Sequence, residues 1–214
     1  MKAMGKEELK KVSSAKMTKI IKKGETIFDE GEKLNGVFCV RNGVSKLSKL
    51  SSNGKDQIVK LVAKGEVLGQ RSVIAEELTN LSAIAIDDME VCFIPKETVI
   101  DSIRSNPDFA VVMLKQLAHD LKDADNVIVN MSQKNVKQRI AETFLYIKNS
   151  FGEDGNGYLL LTLSRENIAN IVGTATESAI RIISGFKKEG MIKTSGKKIG
   201  IIDEKKLKEL SVGV

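Results

Sequence analysis

The chain has 214 residues, 42% of them hydrophobic and 29% charged, with a formal net charge of +6. That length allows one large or two modest domains with a normal core. No apolar run reaches the ~18 residues of a membrane span, and the N-terminal MKAMGKEELKK has neither an apolar stretch nor a small-residue cleavage site, so a cytoplasmic protein is expected.

The first hundred residues read as strands and turns. Gly24 and Gly31 flank the Ile27-Phe28 pair, and Asn-Gly hairpin signals stand at Arg41-Asn42-Gly43 and Ser52-Asn53-Gly54. Ile58, Leu61 and Val62 mark one strand; Ser82–Ile86 and Val91–Ile94 mark two more. Short strands at close spacing predict a small antiparallel barrel or roll. Cys39 and Cys92, each inside an apolar run, are expected as buried reduced thiols. With no CxxC and one histidine, His119, no metal site and no cofactor are expected.

Pro95 closes the last of these strands. A short helix carrying Val99, Ile100 and Ile103 should follow, and Pro107 should open a long one. Along it Ala110, Leu114, Leu117, Leu121, Ala124, Ile128 and Met131 recur at alternating spacings of four and three. This is a heptad seam, read as a two-stranded dimer contact, the alternative being a helix packed on its own domain.

Asn135-Val136 reads as a break and a new cap. The next helix places Ile140, Phe144, Leu145 and Ile147 inward. A glycine-rich turn over residues 152–157 and a strand over Tyr158–Leu163 come next, and Ser164 is placed to cap another helix.

Residues 165–184, RENIANIVGTATESAIRIIS, fit two short helices joined by a tight turn. Two helices crossing at a steep angle need a small residue at the contact and a turn-former between them. Ala169 and Gly173 supply these, with Ile168, Val172, Ala179 and Ile182 inward. The following FKKEGMIKTSGKKIGIID predicts a hairpin turning at Ser195-Gly196, the wing of a winged helix, with Lys193, Lys197 and Lys198 placed for phosphate. Residues 134–214 hold 14 Lys+Arg against 9 Asp+Glu, while residues 1–133 hold 20 against 19, so the positive excess sits with this segment. The second helix presents Thr174, Thr176, Glu177, Ser178 and Arg181. Glu177 and Arg181 share a face as base readers or as a surface salt bridge.

The order and spacing of Gly24-Glu25-x-Ile27-Phe28-x-x-Gly31-Glu32, Val40-x-x-Gly43, Gly65-Glu66-x-Leu68-Gly69, Arg139-Ile140-Ala141 and Glu177-x-x-x-Arg181 resemble the CRP/FNR family, the cyclic-AMP receptor protein and fumarate–nitrate reductase regulators. The resemblance runs from about Ile20 to Asp203. It implies an α+β chain: an antiparallel β-roll sensor like a cyclic-nucleotide-binding jelly roll (1–105), a long dimerisation helix (106–134) and a C-terminal winged helix-turn-helix (135–214).

The resemblance also implies roles. Glu177, Arg181 and Thr176 would read bases, and Arg165, Ser178 and Lys197 would hold phosphates. The dimer seam would comprise Leu114, Leu117, Leu121, Ala124 and Ile128. The effector region would include Gly69, Gln70, Leu81, Ser82, Ala124 and Asp125. Gln70 and Leu81 stand where cyclic-AMP-responsive members carry the ribose-binding Glu and the phosphate-pairing Arg, and Ala124-Asp125 replaces their adenine-contacting Thr-Ser pair. A cyclic phosphate would lack its countercharge, so an unidentified small-molecule effector other than cyclic AMP is expected. The expected partners are double-stranded DNA with a pseudo-palindromic site, a second copy of the chain, and RNA polymerase if the protein activates. A cyclic-nucleotide-binding module without DNA function is the alternative, and residues 164–203 speak against it. No nucleophile–base set or phosphate loop suggests an enzyme.

Overall fold

In the computed structural model, residues 16–51 and 54–213 are described. They divide into two compact units: 16–51 with 58–125, and 54–57 with 126–213. The expected N-terminal features and the turn at Ser52-Asn53 lie outside the described residues. The expected long helix is present but is no unit of its own: the chain passes from one unit to the other within it. A lone helix has no core to make it independent, so each half groups with the elements it packs on.

The first unit is built from two four-stranded sheets. Strands β1 (Met17–Ile21), β8 (Met89–Pro95), β3 (Gly36–Asn42) and β6 (Val67–Leu68) make one. Strands β2 (Thr26–Phe28), β7 (Ser82–Ala85), β4 (Ser45–Leu50) and β5 (Asp56–Val62) make the other. Alternation along each strand sends one set of side chains between the sheets. Phe38, Val40, Leu68, Met89 and Val91 from the first sheet meet Phe28, Val62, Ala83 and Ala85 from the second. The opposite set on β3 and β8 makes an outer cluster, in which Val37 and Ile94 meet Val73 of helix α1 (Gln70–Ala75) and Val99 of α2 (Lys96–Ser105).

The Asn42-Gly43 signal does not make a hairpin. β3 and β4 lie in different sheets, and the chain crosses between them at this corner. Gly43 has φ +82°, and a Cβ there would run into the Asp88 carbonyl and Met89, so only glycine fits.

Helix α3 runs Pro107–Gln133. Asn106 ends α2 and starts α3: its backbone N–H donates to the Ser102 carbonyl, and its side chain accepts from the Phe109 N–H at 3.0 Å. The seam residues Leu114, Leu121 and Ile128 are 65%, 64% and 66% exposed in the single chain. Among the described residues no helix is long and apolar enough to cross a membrane.

The second unit begins where α3 ends. Asn135 caps helix α4 (Val136–Phe151) with a reciprocal box: Gln138 N–H donates to the Asn135 side chain at 3.0 Å, and Asn135 N–H donates to the Gln138 side chain at 2.8 Å. Helices α5 (Arg165–Val172), α6 (Thr176–Lys188) and α7 (Glu204–Val212) and the hairpin β9 (Ile192–Ser195)–β10 (Lys198–Ile201) complete it. Ile140, Phe144 and Ile147 of α4 are buried with Ile168 of α5, Phe186 of α6 and Leu207 of α7. The Phe144 and Phe186 rings meet edge to face at 6.4 Å.

Tyr158–Leu163 is not a strand. Only an isolated bridge, Glu153 to Leu159, forms there. Leu159, Leu161 and Leu163 are nonetheless buried: their alternation packs an irregular segment onto the core, tied to β10 by the Leu159 N–H donating to the Ile199 carbonyl at 2.8 Å but extending into no ladder.

Candidate nucleic-acid interface

Helix α5 starts at Ser164, whose side chain accepts from the Asn167 N–H at 3.0 Å, and ends at Gly173. Gly173 sits at φ 67°, ψ 53°, a left-handed conformation that costs a residue with a Cβ about 1–2 kcal/mol. A Cβ there would also press on the Met131 sulfur at 3.3 Å. Ala169 and Ala179 are fully buried, one on each helix of the pair. Their small size lets the helices cross closely, as the sequence pattern requires.

One inward position differs from expectation. Ile183, 2% exposed, fills the core, while Ile182 is only partly buried. Helix α6 begins at Thr176, and Ala179, Ile183 and Phe186 follow at spacings of four and three, which phases the inward stripe one residue later.

That phase turns Glu177 and Arg181 outward. Both are exposed, Thr176 and Ser178 are half-buried beside them, and all four stand in the first two turns of α6. Among the described residues, ion pairs at this spacing form on α7, between Lys205 and Glu209 and between Lys208 and Glu204, and none joins Glu177 to Arg181. The surface salt bridge that would neutralise both is not made, so each keeps its hydrogen-bonding capacity for another molecule.

The wing lies against the start of α5. Arg165, on the first residue of α5, donates to the Gly196 and Lys197 carbonyls at 3.3 and 3.4 Å. Burial lowers the pKa of its guanidinium from the ordinary value. The wing turns at Gly196-Lys197, one residue later than expected, because Ser195 pairs with Lys198 in the ladder. Three wing lysines were expected at phosphates, and the structure separates them. Lys193 donates to the Asn156 carbonyl at 2.6 Å and lies 4.8 Å over the Tyr158 ring. Lys198 pairs with Asp154 at 3.5 Å. Lys197 is exposed at the turn with neither kind of contact. Arg165, Lys197, Glu177 and Arg181 therefore combine a cationic wing tip with a polar helix start.

Arg139, which stands in Arg139-Ile140-Ala141 and has no role assigned by the sequence, ties two helix ends of this unit together. Its guanidinium donates to the Val172 carbonyl at 2.8 Å and to the Lys134 carbonyl at 2.6 Å. It thereby places a cation at the C-terminal ends of both α5 and α3, where unpaired carbonyls accumulate.

Residues 138–210 match the Crp-like helix-turn-helix domain, and residues 18–106 match the cyclic nucleotide-binding domain. The chain is 29% identical over 195 residues to Electron transport regulator A of Shewanella oneidensis, covering 90% of this chain and 78% of that protein. It is 28% identical, with the same coverage, to the Fumarate and nitrate reduction regulatory protein of Escherichia coli. The chain belongs to the CRP/FNR family. Its fold is also that of FixK2 from Bradyrhizobium japonicum, at a TM-score of 0.82 and 24% identity, over 91% of this chain and 96% of that one. Members of the CRP/FNR family are DNA-binding transcription regulators with a cyclic-nucleotide-binding-like sensor, and this chain is such a regulator.

In this CRP/FNR sensor the expected effector residues separate into two groups. Gly69 has φ +82° and starts α1. Gln70 is buried, and its amide donates to Asp120 on α3 at 3.2 Å. Leu81 and Ser82 are half-buried, and the Ser82 hydroxyl accepts from the Glu30 N–H at 2.9 Å. Ala124 and Asp125 are exposed on α3, and no ion pair joins Asp125 to this group among the described residues. Asp120, one turn earlier, is the α3 residue that meets the roll. It pairs with Lys60 at 2.7 Å, and Lys60 also pairs with Glu66 at 2.9 Å. Burial pushes the Lys60 ammonium down, but hydrogen bonds to Asp120 and Glu66 outweigh it and hold its pKa above the ordinary value. The sequence hid this network because its members lie far apart in the chain and Asp120 falls outside the heptad seam. Arg71, the nearest arginine to the missing phosphate partner, is already bound to Glu77 at 2.8 Å and Asn80 at 3.0 Å.

Proposed function

We propose that two copies of the chain bind a pseudo-palindromic double-stranded site. Glu177 and Arg181, with Thr176, read base edges in the major groove, and Arg165, Ser178 and Lys197 hold the flanking phosphates. The observation that carries this reading is the exposed, unpaired Glu177–Arg181 couple at the start of α6, beside a wing whose turn lysine is free of intrachain partners. Arginine can donate twice to guanine and glutamate can accept from cytosine, so one base pair uses both side chains. By family resemblance the half-site carries a TGA core, with Arg181 on its guanine and Glu177 on the opposing cytosine. The exposed stripe Leu114, Leu121, Ala124 and Ile128, continued by half-buried Leu117, is the dimer contact. Two-fold symmetry then sets half-sites about 10–10.5 base pairs apart, or a multiple. A DNA partner places the protein in the cytoplasm. As an activator it would also meet RNA polymerase.

The sensor responds to a small molecule other than cyclic AMP. Leu81 offers a phosphate no charge, and the Gln70 amide is already bound to Asp120. Selection of bound fragments from a random DNA pool tests the main reading. A palindromic TGA-containing consensus is expected, and enrichment of no sequence would refute it.

A further inference from the structure

The chain has two cysteines, and the roll brings them together. Cys39 on β3 is the direct antiparallel partner of Cys92 on β8. Directly opposed residues point to the same face, with Cα atoms about 4.5 or 5.5 Å apart. A disulfide accepts Cα separations of about 4.4–6.8 Å. The face is the outer one. Cys39 packs on the outer cluster of Val37, Val73, Ile94 and Val99. Cys92 stands between Val91 and Phe93, which both point between the sheets, so alternation turns it outward with Ile94. The row across this sheet therefore runs Thr18, Cys92, Cys39, Val67. The Thr18 hydroxyl lies 3.9 Å from the Cys92 sulfur. Cys39 is half-buried, whereas Cys92 is 5% exposed.

We propose that Cys39 and Cys92 are a reversible redox modification site, closing an intrachain disulfide by exchange with a low-molecular-weight disulfide. The Cys39 thiol loses its proton, attacks one sulfur of the reagent and releases one thiolate, leaving a mixed disulfide on Cys39. The Cys92 thiolate then attacks the Cys39 sulfur and releases the second thiolate. The cysteine pair gives up two electrons and two protons, and the reagent takes them up as two thiols. The order follows from exposure: only Cys39 can be reached from solvent, and only Cys92 is placed to resolve it. Opposed Cβ atoms stand about 4.5–5.5 Å apart in a sheet, whereas a disulfide holds them near 3.8 Å, so the bridge draws the strands together and stays easily reduced. Burial, then the neighbouring Cys92, pushes the Cys39 thiol up to about 11, so the thiolate is scarce at neutral pH and the exchange is slow.

The test uses the full chain, oxidised glutathione, and alkylation of remaining thiols before intact-mass measurement and peptide mapping. The expected product is a monomeric chain lighter by two hydrogens, unalkylated, with a linked peptide joining Cys39 to Cys92. Dithiothreitol should restore two alkylatable thiols. Cys92→Ser should stop at a glutathione adduct on Cys39, and Cys39→Ser should resist the reagent. A wild-type chain that accumulates the glutathione adduct with Cys92 still alkylatable would overturn the proposal. So would a link between chains, or two free thiols under conditions where the urea-unfolded chain is oxidised.

Discussion

Glu177, Arg181 and Lys197 differ in what their positions let them contact. A guanidinium aimed at a base edge discriminates between sequences, whereas an ammonium on a flexible stem at the wing turn senses only phosphate charge. Arg181→Ala is expected to weaken the selected site by about 1–3 kcal/mol and to relax preference at one guanine. Lys197→Ala should weaken all sequences alike and lower the slope of log affinity against log salt by about one. Fluorescence anisotropy on specific and scrambled duplexes over a salt series separates the two, and equal losses for Arg181→Ala on both duplexes would make it a phosphate anchor. Arg139 acts on stability. Arg139→Met keeps the stem but removes the donors to the Val172 and Lys134 carbonyls. Each partly buried carbonyl left unpaired costs about 1–3 kcal/mol, so the urea midpoint should fall while any residual DNA preference keeps its sequence. An unchanged midpoint would mean that water replaces the guanidinium without loss.

At the scale of elements, periodicity was readable where one face of an element is buried. Helices α3, α4 and α5 begin and end close to the positions their caps announce, because Pro107, Asn135, Ser164 and Gly173 act through local backbone chemistry. Local signals mislead where the partners are distant in the chain. Tyr158–Leu163 alternates like a strand but has no ladder neighbour beyond one bridge. Asn42-Gly43 has hairpin chemistry but joins two sheets. The α3 seam leads to a prediction at this scale. Leu121 is 64% exposed in the single chain, so Leu121→Asp should leave the protomer folded. In a parallel seam it would set two carboxylates against each other in an apolar contact, which is strongly unfavourable. Light scattering should report a monomer with unchanged circular dichroism. A dimer of the variant would remove the seam from the assembly.

At the scale of the molecule, the two units carry different chemistry. The second holds the charge excess and the helix-turn-helix, while the first holds a roll in which a set of charged and polar side chains pair with one another. Lys60, Glu66, Gln70 and Asp120 bind one another at the place where an effector is expected. Cyclic AMP at micromolar concentration should therefore give no calorimetric signal with the purified protein and no change in DNA affinity. A clear micromolar isotherm would show that backbone donors replace the absent arginine.

The sequence by itself determined the family, the starts of α3, α4 and α5, and the outward Glu177 and Arg181 of α6. Each of these depends on local rules: the caps, the 3.6-residue and two-residue periods, and glycine where φ is positive. Only the tertiary structure decided which of these residues have partners. It gave Lys193 and Lys198 partners within the chain, left the Lys197 side chain exposed at the turn, and paired Asp120 with Lys60 of the roll. It also set Cys39 opposite Cys92. The reason is physical: hydrogen bonds, ion pairs and strand register join residues tens of positions apart, and a single-residue change of phase or register exchanges a paired side chain for a free one.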